Sequence, residues 1–220
     1  MEKLDMNKIE KTMDALRKNF MQAYYCETAE AAKEKVRELM SKGDTVTHGG
    51  SVTLEQCGIT EMLRCGDYNY LDRSVPGLTA EQKQEIYRKA FFADVYLTSA
   101  NAITENGLLF NTDGNSNRVA AIMYGPTSVI VVAGYNKIVA DLDEAFLRLR
   151  TVASPKNTVR LNCATPCAKT GKCISLNNEN SKFGDGCKSP QRICCNYTVT
   201  AQQRNKDRIK VIIVGEELGY

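Results

Sequence analysis

The chain has 220 residues, 43% hydrophobic and 25% charged, with no Trp and only 7% aromatics, so it is long enough to bury a substantial, mainly aliphatic core. A net charge of +3 and the lack of a basic stripe interleaved with aromatics argue against a nucleic-acid partner. Charges run through the first twenty residues, unlike a signal peptide, and no apolar run approaches the roughly 18 residues of a membrane span, so the expected protein is cytoplasmic and has no membrane partner.

Leu4, Ile9, Met13, Leu16 and Phe20 recur at near-helical spacing and predict an amphipathic N-terminal helix. Gln22 to Cys26 reads as a short strand. Thr28 caps a second helix that carries Ala32, Val36 and Leu39 on one face and ends near Gly43. Asp44 to Thr47 predicts a strand running into His48-Gly49-Gly50-Ser51, with a short helix from about Thr53. Tyr68 to Leu71 reads as a strand. Thr79-Ala80-Glu81-Gln82 has the form of a capping box, opening a helix to about Phe91. Asp94 to Thr98 is a further strand.

The rhythm then changes. Leu108 to Asn111, Arg118 to Tyr124, Val129 to Ala133 and Lys137 to Val139 read as consecutive strands, with turns at Asp113-Gly114-Asn115 and Gly125-Pro126. A helix from Leu142 to about Val152 is stopped by Ser154-Pro155. Asn177 to Gly186 reads as an exposed, mobile polar loop. Ile209 to Val214 closes the chain as a buried strand. Elements in this order predict one α/β domain over residues 1–220, a mixed sheet with helices on both faces.

Two segments carry candidate ligand-binding residues. In the first, His48, Gly49, Gly50, Ser51 and Thr53 stand where a strand feeds a helix, the place where α/β folds bind ligands. Glycine there either lets a phosphate or carboxylate approach the backbone or only supplies a positive φ. His48, the only histidine, is either a structural hydrogen-bonding residue or part of that site. The second runs from Ser99 to Arg118, and Asn101, Thr104, Asp113, Asn115, Asn117 and Arg118 give it a high density of amides with a carboxylate and a guanidinium. It is either a ligand wall or a hairpin turn. Glu105 is the candidate catalytic residue, as nucleophile or general base, with a turn cap as the alternative. Arg118 and Lys137 pair either with an anionic ligand or with surface acids.

Nine cysteines in an unexported chain of odd cysteine count read as reduced thiols or metal ligands. Cys26, Cys57 and Cys65 are scattered, and the other six fall between Cys163 and Cys195. Any four thiolates would complete a zinc site or hold an iron–sulfur cluster. The alternatives are buried small hydrophobes, a disulfide, or a redox-active pair.

The runs Ser99-Ala-Asn-Ala-Ile-Thr-Glu-Asn-Gly107, Asn111-Thr-Asp-Gly-Asn-Ser-Asn-Arg-Val-Ala-Ala121, Tyr124-Gly-Pro126, Val129 to Gly134 and Asn136 to Val139 resemble the lactate-utilisation (LUD) domain family. Pro166-Cys-Ala-Lys-Thr-Gly-Lys-Cys173 and Ser189-Pro-Gln-Arg-Ile-Cys194 resemble the cysteine-rich tail of a small subgroup. The resemblance implies a Rossmann-like fold similar to the sugar-phosphate isomerases and CoA transferases. It implies a lactate-utilisation-type protein, an accessory or redox-linked component of lactate or organic-acid oxidation with flavin and iron–sulfur oxidoreductase subunits as partners. The alternative is an enzyme or sensor that binds a small phosphate or CoA-ester anion. Glu105 resembles the context of the CoA transferases' glutamate nucleophile. Cys167, Cys173, Cys187 and Cys194 match the tail motif and are the expected metal ligands, while Cys163 and Cys195 lie outside it. In the subgroup the second and third tail cysteines stand close together; here Ile174 to Gly186 separates them. A homodimer is the default assembly.

Overall fold

The computed structural model describes residues 4–220, so the first three residues of the charged N-terminal stretch lie outside it. Its centre is a six-stranded, all-parallel sheet built from β1 (Gln22–Cys26), β2 (Thr45–His48), β3 (Asn69–Tyr70), β4 (Val95–Thr98), β7 (Ser128–Gly134) and β10 (Ile209–Val214), in the order β1-β10-β7-β4-β2-β3. A second sheet of four strands, β8-β5-β6-β9, combines β5 (Ala102–Thr104), β6 (Leu109–Asp113), β8 (Ile138–Val139) and β9 (Asn196–Thr200). It is the mixed one: β5 pairs antiparallel with β6 and parallel with β8. The predicted α/β class stands, with its strands divided between two sheets.

Strand alternation builds the two halves of the core. Val129, Val131 and Ala133 of β7, with Ile209, Val211 and Ile213 of β10, pack against Ile9 and Leu16 of α1 (Met6–Lys18) and Ala121 and Ile122 of α6 (Asn117–Met123). The intervening Ile130, Val132, Ile212 and Val214 face the other way. They meet Ala32 and Val36 of α2 (Ala29–Glu38), Leu54 of α3 (Val52–Gln56), and Ile59 and Met62 of α4 (Ile59–Met62). Both faces of the central strands are therefore apolar, as a doubly covered parallel sheet requires. Each fully buried Val, Leu or Ile contributes about 1.5–3 kcal/mol.

The helix starts follow local chemistry. Asp5 accepts hydrogen bonds from the backbone N–H of Asn7 and Lys8 at α1, and Thr28 accepts from Ala31 at α2. Thr79 and Gln82 form the predicted capping box at α5 (Ala80–Lys89). Gly107 fastens α1 to the turn between β5 and β6. Its φ is +81°, and an added Cβ would stand 2.6 Å from the carbonyl carbon of Ala15. Leu4 and Phe20, expected on the buried face of the first helix, lie outside it and are more than a third exposed.

Several predicted elements are corrected. Arg118 to Tyr124 is not a strand but most of α6, and Asp113 to Asn115 connects a strand to a helix rather than forming a hairpin. The run Val-Ala-Ala-Ile-Met is apolar enough for either. Two alanines favour helix, and Val119 and Ile122 fall on one buried face while Met123 is half exposed. Ser154-Pro155 does not end the helix begun at Leu142. After α7 (Leu142–Arg148) the chain makes a π-helical turn over Leu149–Ala153 and continues as α8 (Ser154–Arg160). Pro155 thereby sits in a first turn, where its missing N–H costs least. Ala102–Thr104 and Asn196–Thr200, to which the sequence reading gives no element, are strands. The polar insert is tethered: the guanidinium of Arg150 donates to Ser181 Oγ and to the carbonyls of Lys182 and Asp185, and Phe183 stacks on Phe146 at 4.7 Å. Among the described residues no helix is long and apolar enough to cross a membrane.

Candidate functional site

The chain leaves β2 through Gly50 to Thr53, β4 through Ser99 to Asn101, and β7 through a turn ending at Lys137. Together with the loop from Thr112 to Asn117, these ends surround a cleft of about 420 Å³. It lies beyond the carboxyl ends of parallel strands, and its volume suits a small organic ligand. Arg73, Tyr87, Asn157 and Arg160 form the far wall, Pro190 to Ile193 of the cysteine-rich segment close one side, and Gly219 and Tyr220 close another.

Of the twelve residues expected to bind ligand, nine line this cleft: Gly50, Ser51, Thr53, Asn101, Asp113, Asn115, Asn117, Arg118 and Lys137. Gly49 lies just behind, and neither it nor Gly50 has a positive φ. Glycine at Gly49 leaves the space that Arg118 fills, while at Gly50 a side chain would meet only the ends of the Arg73 and Arg160 side chains. A Cβ at Gly49 would stand 2.8 Å from Arg118 Cδ, and one at Gly50 would stand 2.9 Å from Arg73 Nη2.

His48 does not line the cleft. It is buried, and its Nδ1 lies 2.6 Å from the carbonyl oxygen of Gly49, so Nδ1 carries the proton and Nε2 accepts from the Tyr70 hydroxyl at 2.7 Å. Burial holds its pKa below the ordinary value, so the ring is neutral. Thr104 also sits outside, bonded to Asn106 Oδ1 and the Leu108 N–H. Glu105 faces α1, where Lys11 Nζ is 2.7 Å and Lys8 Nζ is 4.0 Å from its carboxylate. Its place is a surface ion pair beside the N-terminal helix, not the cleft.

Arg118 is expected to meet a ligand, but its donors are already engaged. Nε donates to Asp113 Oδ1 at 2.9 Å, Nη1 to the Ser99 carbonyl and Asn111 Oδ1, and Nη2 to Asn101 Oδ1 and the Thr112 carbonyl. Asp113 Oδ2 accepts from the Val119 N–H at 2.8 Å. This pair ties the loops after β4 and β6 to the start of α6 and sets the shape of the wall.

Two arginines that sequence reasoning missed are placed differently. Arg73 Nη2 and Arg160 Nη2 converge on Gly50, at 2.9 Å and 3.6 Å from the position a Cβ would take there. Among the described residues neither has an ion pair. Arg73 rests over the Tyr87 ring at 5.5 Å, and Arg160 donates only to the neutral Asn157 Oδ1 and Tyr220. Arg73 stands three residues after the end of β3, so the reasoning that singled out the loops after β2 and β4 applies to it. Arg160 gives no such signal, because its position depends on the helix continuing past Pro155.

Lys137 is the most unusual group. Its side chain is buried on the cleft floor, with Nζ 2.9 Å from both Thr53 Oγ1 and Ser99 Oγ and, among the described residues, no carboxylate in a salt bridge with it. Burial, reinforced by the cations of Arg148 and Arg118, holds its pKa well below that of an ordinary lysine.

The four tail cysteines come together. Cys167, Cys173, Cys187 and Cys194 line one small cavity of about 20 Å³ beneath Leu149, Pro166 and Tyr197, while Cys163 lies at the cleft and Cys195 is exposed. All nine cysteines are free thiols. Burial pushes the Cys194 thiol up against the opposing pull of Arg192. Arg192 binds the segment together by donating to the carbonyls of Gly184, Cys187 and Cys194. Thiolates are the right donors for zinc or an iron–sulfur cluster, but among the described residues no three Cys, His, Asp or Glu side chains are arranged to hold a metal ion. A cavity of this size takes about one water molecule, too little for a multi-atom cluster.

A family model described as the LUD domain matches residues 9–214. A DUF162 family protein from Deinococcus radiodurans shares 13% identity and superposes with a TM-score of 0.50 over 95% of this chain and 97% of its own. The delta subunit of eIF2B from Chaetomium thermophilum, at 16% identity, gives a TM-score of 0.34 over 64% of this chain and 55% of its own. Among curated proteins none matches. With the family model spanning nearly the whole chain, and the strands, cleft and tail placed as described, the chain belongs to the LUD-domain family.

Proposed function

We propose that the cleft is the ligand site of a lactate-utilisation-type protein and takes a small carboxylate or phosphate-bearing anion. The observation that carries this reading is the convergence of Arg73 and Arg160 on Gly50 without an acidic partner. Two guanidiniums that converge on one point favour an anion there, and each presents donors in a fork that fits carboxylate or phosphate. The one side-chain carboxylate among the described lining residues, Asp113, is already paired with Arg118, so cationic side chains predominate in the cleft. Backbone and hydroxyl groups from Ser51, Thr53 and Ser99 supply hydrogen bonds for the remainder of a small molecule.

Calorimetric titration with lactate, pyruvate, inorganic phosphate and a CoA thioester tests this reading. It expects saturable binding of at least one of them, weakened by salt and lost on Arg73→Gln with Arg160→Gln. No binding by any of the four overturns it.

A second reading rests on the gathering of the four tail cysteines around one cavity. Here the tail holds a zinc ion, or carries a thiol redox centre, and the protein serves as a redox-linked accessory to lactate or organic-acid oxidation beside flavin and iron–sulfur oxidoreductase subunits. Zinc binding requires the thiols to turn onto one point and lose their protons. Metal and labile-sulfide analysis of protein purified without oxygen decides it: stoichiometric metal supports a metal centre, while protein with neither metal nor a reversible thiol couple removes the reading.

A further inference from the structure

The floor of the cleft carries chemistry that anion binding alone does not use. Lys137 follows β7 through a single 3₁₀ turn over Tyr135–Lys137, which carries its side chain back under the cleft instead of out to solvent. Lysine ammonium groups are rarely buried without a carboxylate. Here the groups within hydrogen-bond reach are two hydroxyls, Thr53 Oγ1 and Ser99 Oγ, both at 2.9 Å. The charged side chains acting on it from the surrounding elements are cations, Arg148 of α7 and Arg118 of α6, and the neighbouring Cys57 thiol is itself pushed up to about 11 by burial. Burial and these cations outweigh the two hydroxyl acceptors and favour the neutral amine over the ammonium. The chain passes close over it on the other side, where a Cβ at Gly219 would be 3.3 Å from Nζ.

An unprotonated primary amine in a cleft where cationic side chains predominate is equipped to attack a carbonyl carbon. The guanidiniums at Gly50 hold an anionic group, and Gly50 and Thr53 belong to the same short connection at the start of α3. A ligand held by the arginines and also met by Lys137 therefore combines a carboxylate with a carbonyl. We propose that Lys137 captures a small oxo acid covalently, through an imine between its ε-amine and the ligand's carbonyl carbon, with the carboxylate on Arg73 and Arg160. The nitrogen lone pair forms the new C–N bond, and the carbonyl oxygen takes up the two amine protons and leaves as water. The hydroxyls of Ser99 and Thr53, on either side of the nitrogen, relay those protons. This step rests on the anion-binding reading above and adds the ligand's reacting group.

The test uses the intact protein with pyruvate or glyoxylate and sodium cyanoborohydride, which delivers hydride to the imine carbon and leaves a stable secondary amine. Mass spectrometry of the whole protein and its peptides locates the adduct. One adduct per chain at Lys137 is expected, absent in Lys137→Arg and suppressed by competing inorganic phosphate. Ordinary surface lysines lose about 30-fold of their free-base fraction between about pH 8 and about pH 6.5, whereas adduct formation at Lys137 falls by clearly less over the same range. Adducts spread over surface lysines, or none at Lys137, overturn the proposal. If the same protein still binds lactate, pyruvate, inorganic phosphate or a CoA thioester in calorimetry, that failure removes the imine and leaves the anion site standing; if it binds none of the four, both readings fall.

Discussion

Replacing Arg118 and Arg73 separately by methionine distinguishes an arginine that builds the cleft from one that waits for a ligand. Arg118 and Asp113 are only 12% and 11% exposed, and the guanidinium gives hydrogen bonds to five acceptors drawn from the ends of β4 and β6. Methionine fills much of the stem volume lying on Gly49 but leaves the Asp113 carboxylate and the buried Asn111 amide oxygen without their donor. Leaving one partner of a buried pair unmatched costs about 3–5 kcal/mol. For a chain of this size that lowers Tm by about 6–20 °C. Arg73 breaks no ion pair when removed and loses only its position over Tyr87, worth about 0.5–1 kcal/mol. Its loss falls on binding, where one charge-assisted contact is worth about 1.5–3 kcal/mol, about 10- to 150-fold in Kd. Urea denaturation and calorimetry on both variants provide the comparison. An Arg118→Met protein destabilised by less than about 1 kcal/mol, or an Arg73→Met protein that binds anions as well as the parent, refutes the division of labour.

Glu105→Gln is expected to leave anion binding unchanged and to alter stability by no more than about 1 kcal/mol, because its partner Lys11 is largely solvent-exposed. A large loss of binding would return Glu105 to the site. Lys137→Met is expected to stabilise the fold at neutral pH, since it removes an amine whose protonation folding opposes. The sign follows from the lowered pKa: between the folded value and the ordinary 10.5, the unfolded chain binds more protons, so the parent's stability rises with pH across that window. The advantage of Lys137→Met in urea denaturation therefore shrinks as pH approaches 10.5, and an advantage independent of pH contradicts a neutral Lys137.

The parallel sheet was legible because its strands are short apolar runs, set off by capped helices and glycine turns that can be recognised within a few residues. Val129 to Ala133 and Ile209 to Val214 lie adjacent in the sheet although about eighty residues separate them, and the apolar runs Val129 to Ala133 and Val211 to Val214 already have strand length. The second sheet was less legible because its pairing is not local. β9 reads Asn-Tyr-Thr-Val-Thr, half polar and directly after a pair of cysteines, and it becomes a strand because Asp113 to Leu109 offers it an open edge. α6 was misread because its apolar run fits two periods, and packing decided between them.

The same distinction governs the site. Gly50, Ser51, Thr53 and Asn101 could be named because they follow strands, and strand ends gather where α/β folds bind ligands, whereas Lys137 was named for its charge alone. Arg73 and Arg160 could not be paired in advance. One stands in a polar loop and the other on a helix beyond the stop that the sequence predicts at Ser154-Pro155, and each alone resembles a solvated surface charge. Only the fold brings them to one glycine. The reverse holds for Glu105 and Arg118, whose residue types suggested chemistry: the fold gives one a lysine partner on α1 and the other a full set of acceptors. Residue type identifies what a side chain is able to do, but the partners supplied by the fold decide whether that capacity remains free. By that criterion the groups still available in the cleft are the two guanidiniums without acids and the lysine without a counter-charge, and these set the chemistry expected of a ligand: anionic at one end and electrophilic near the other.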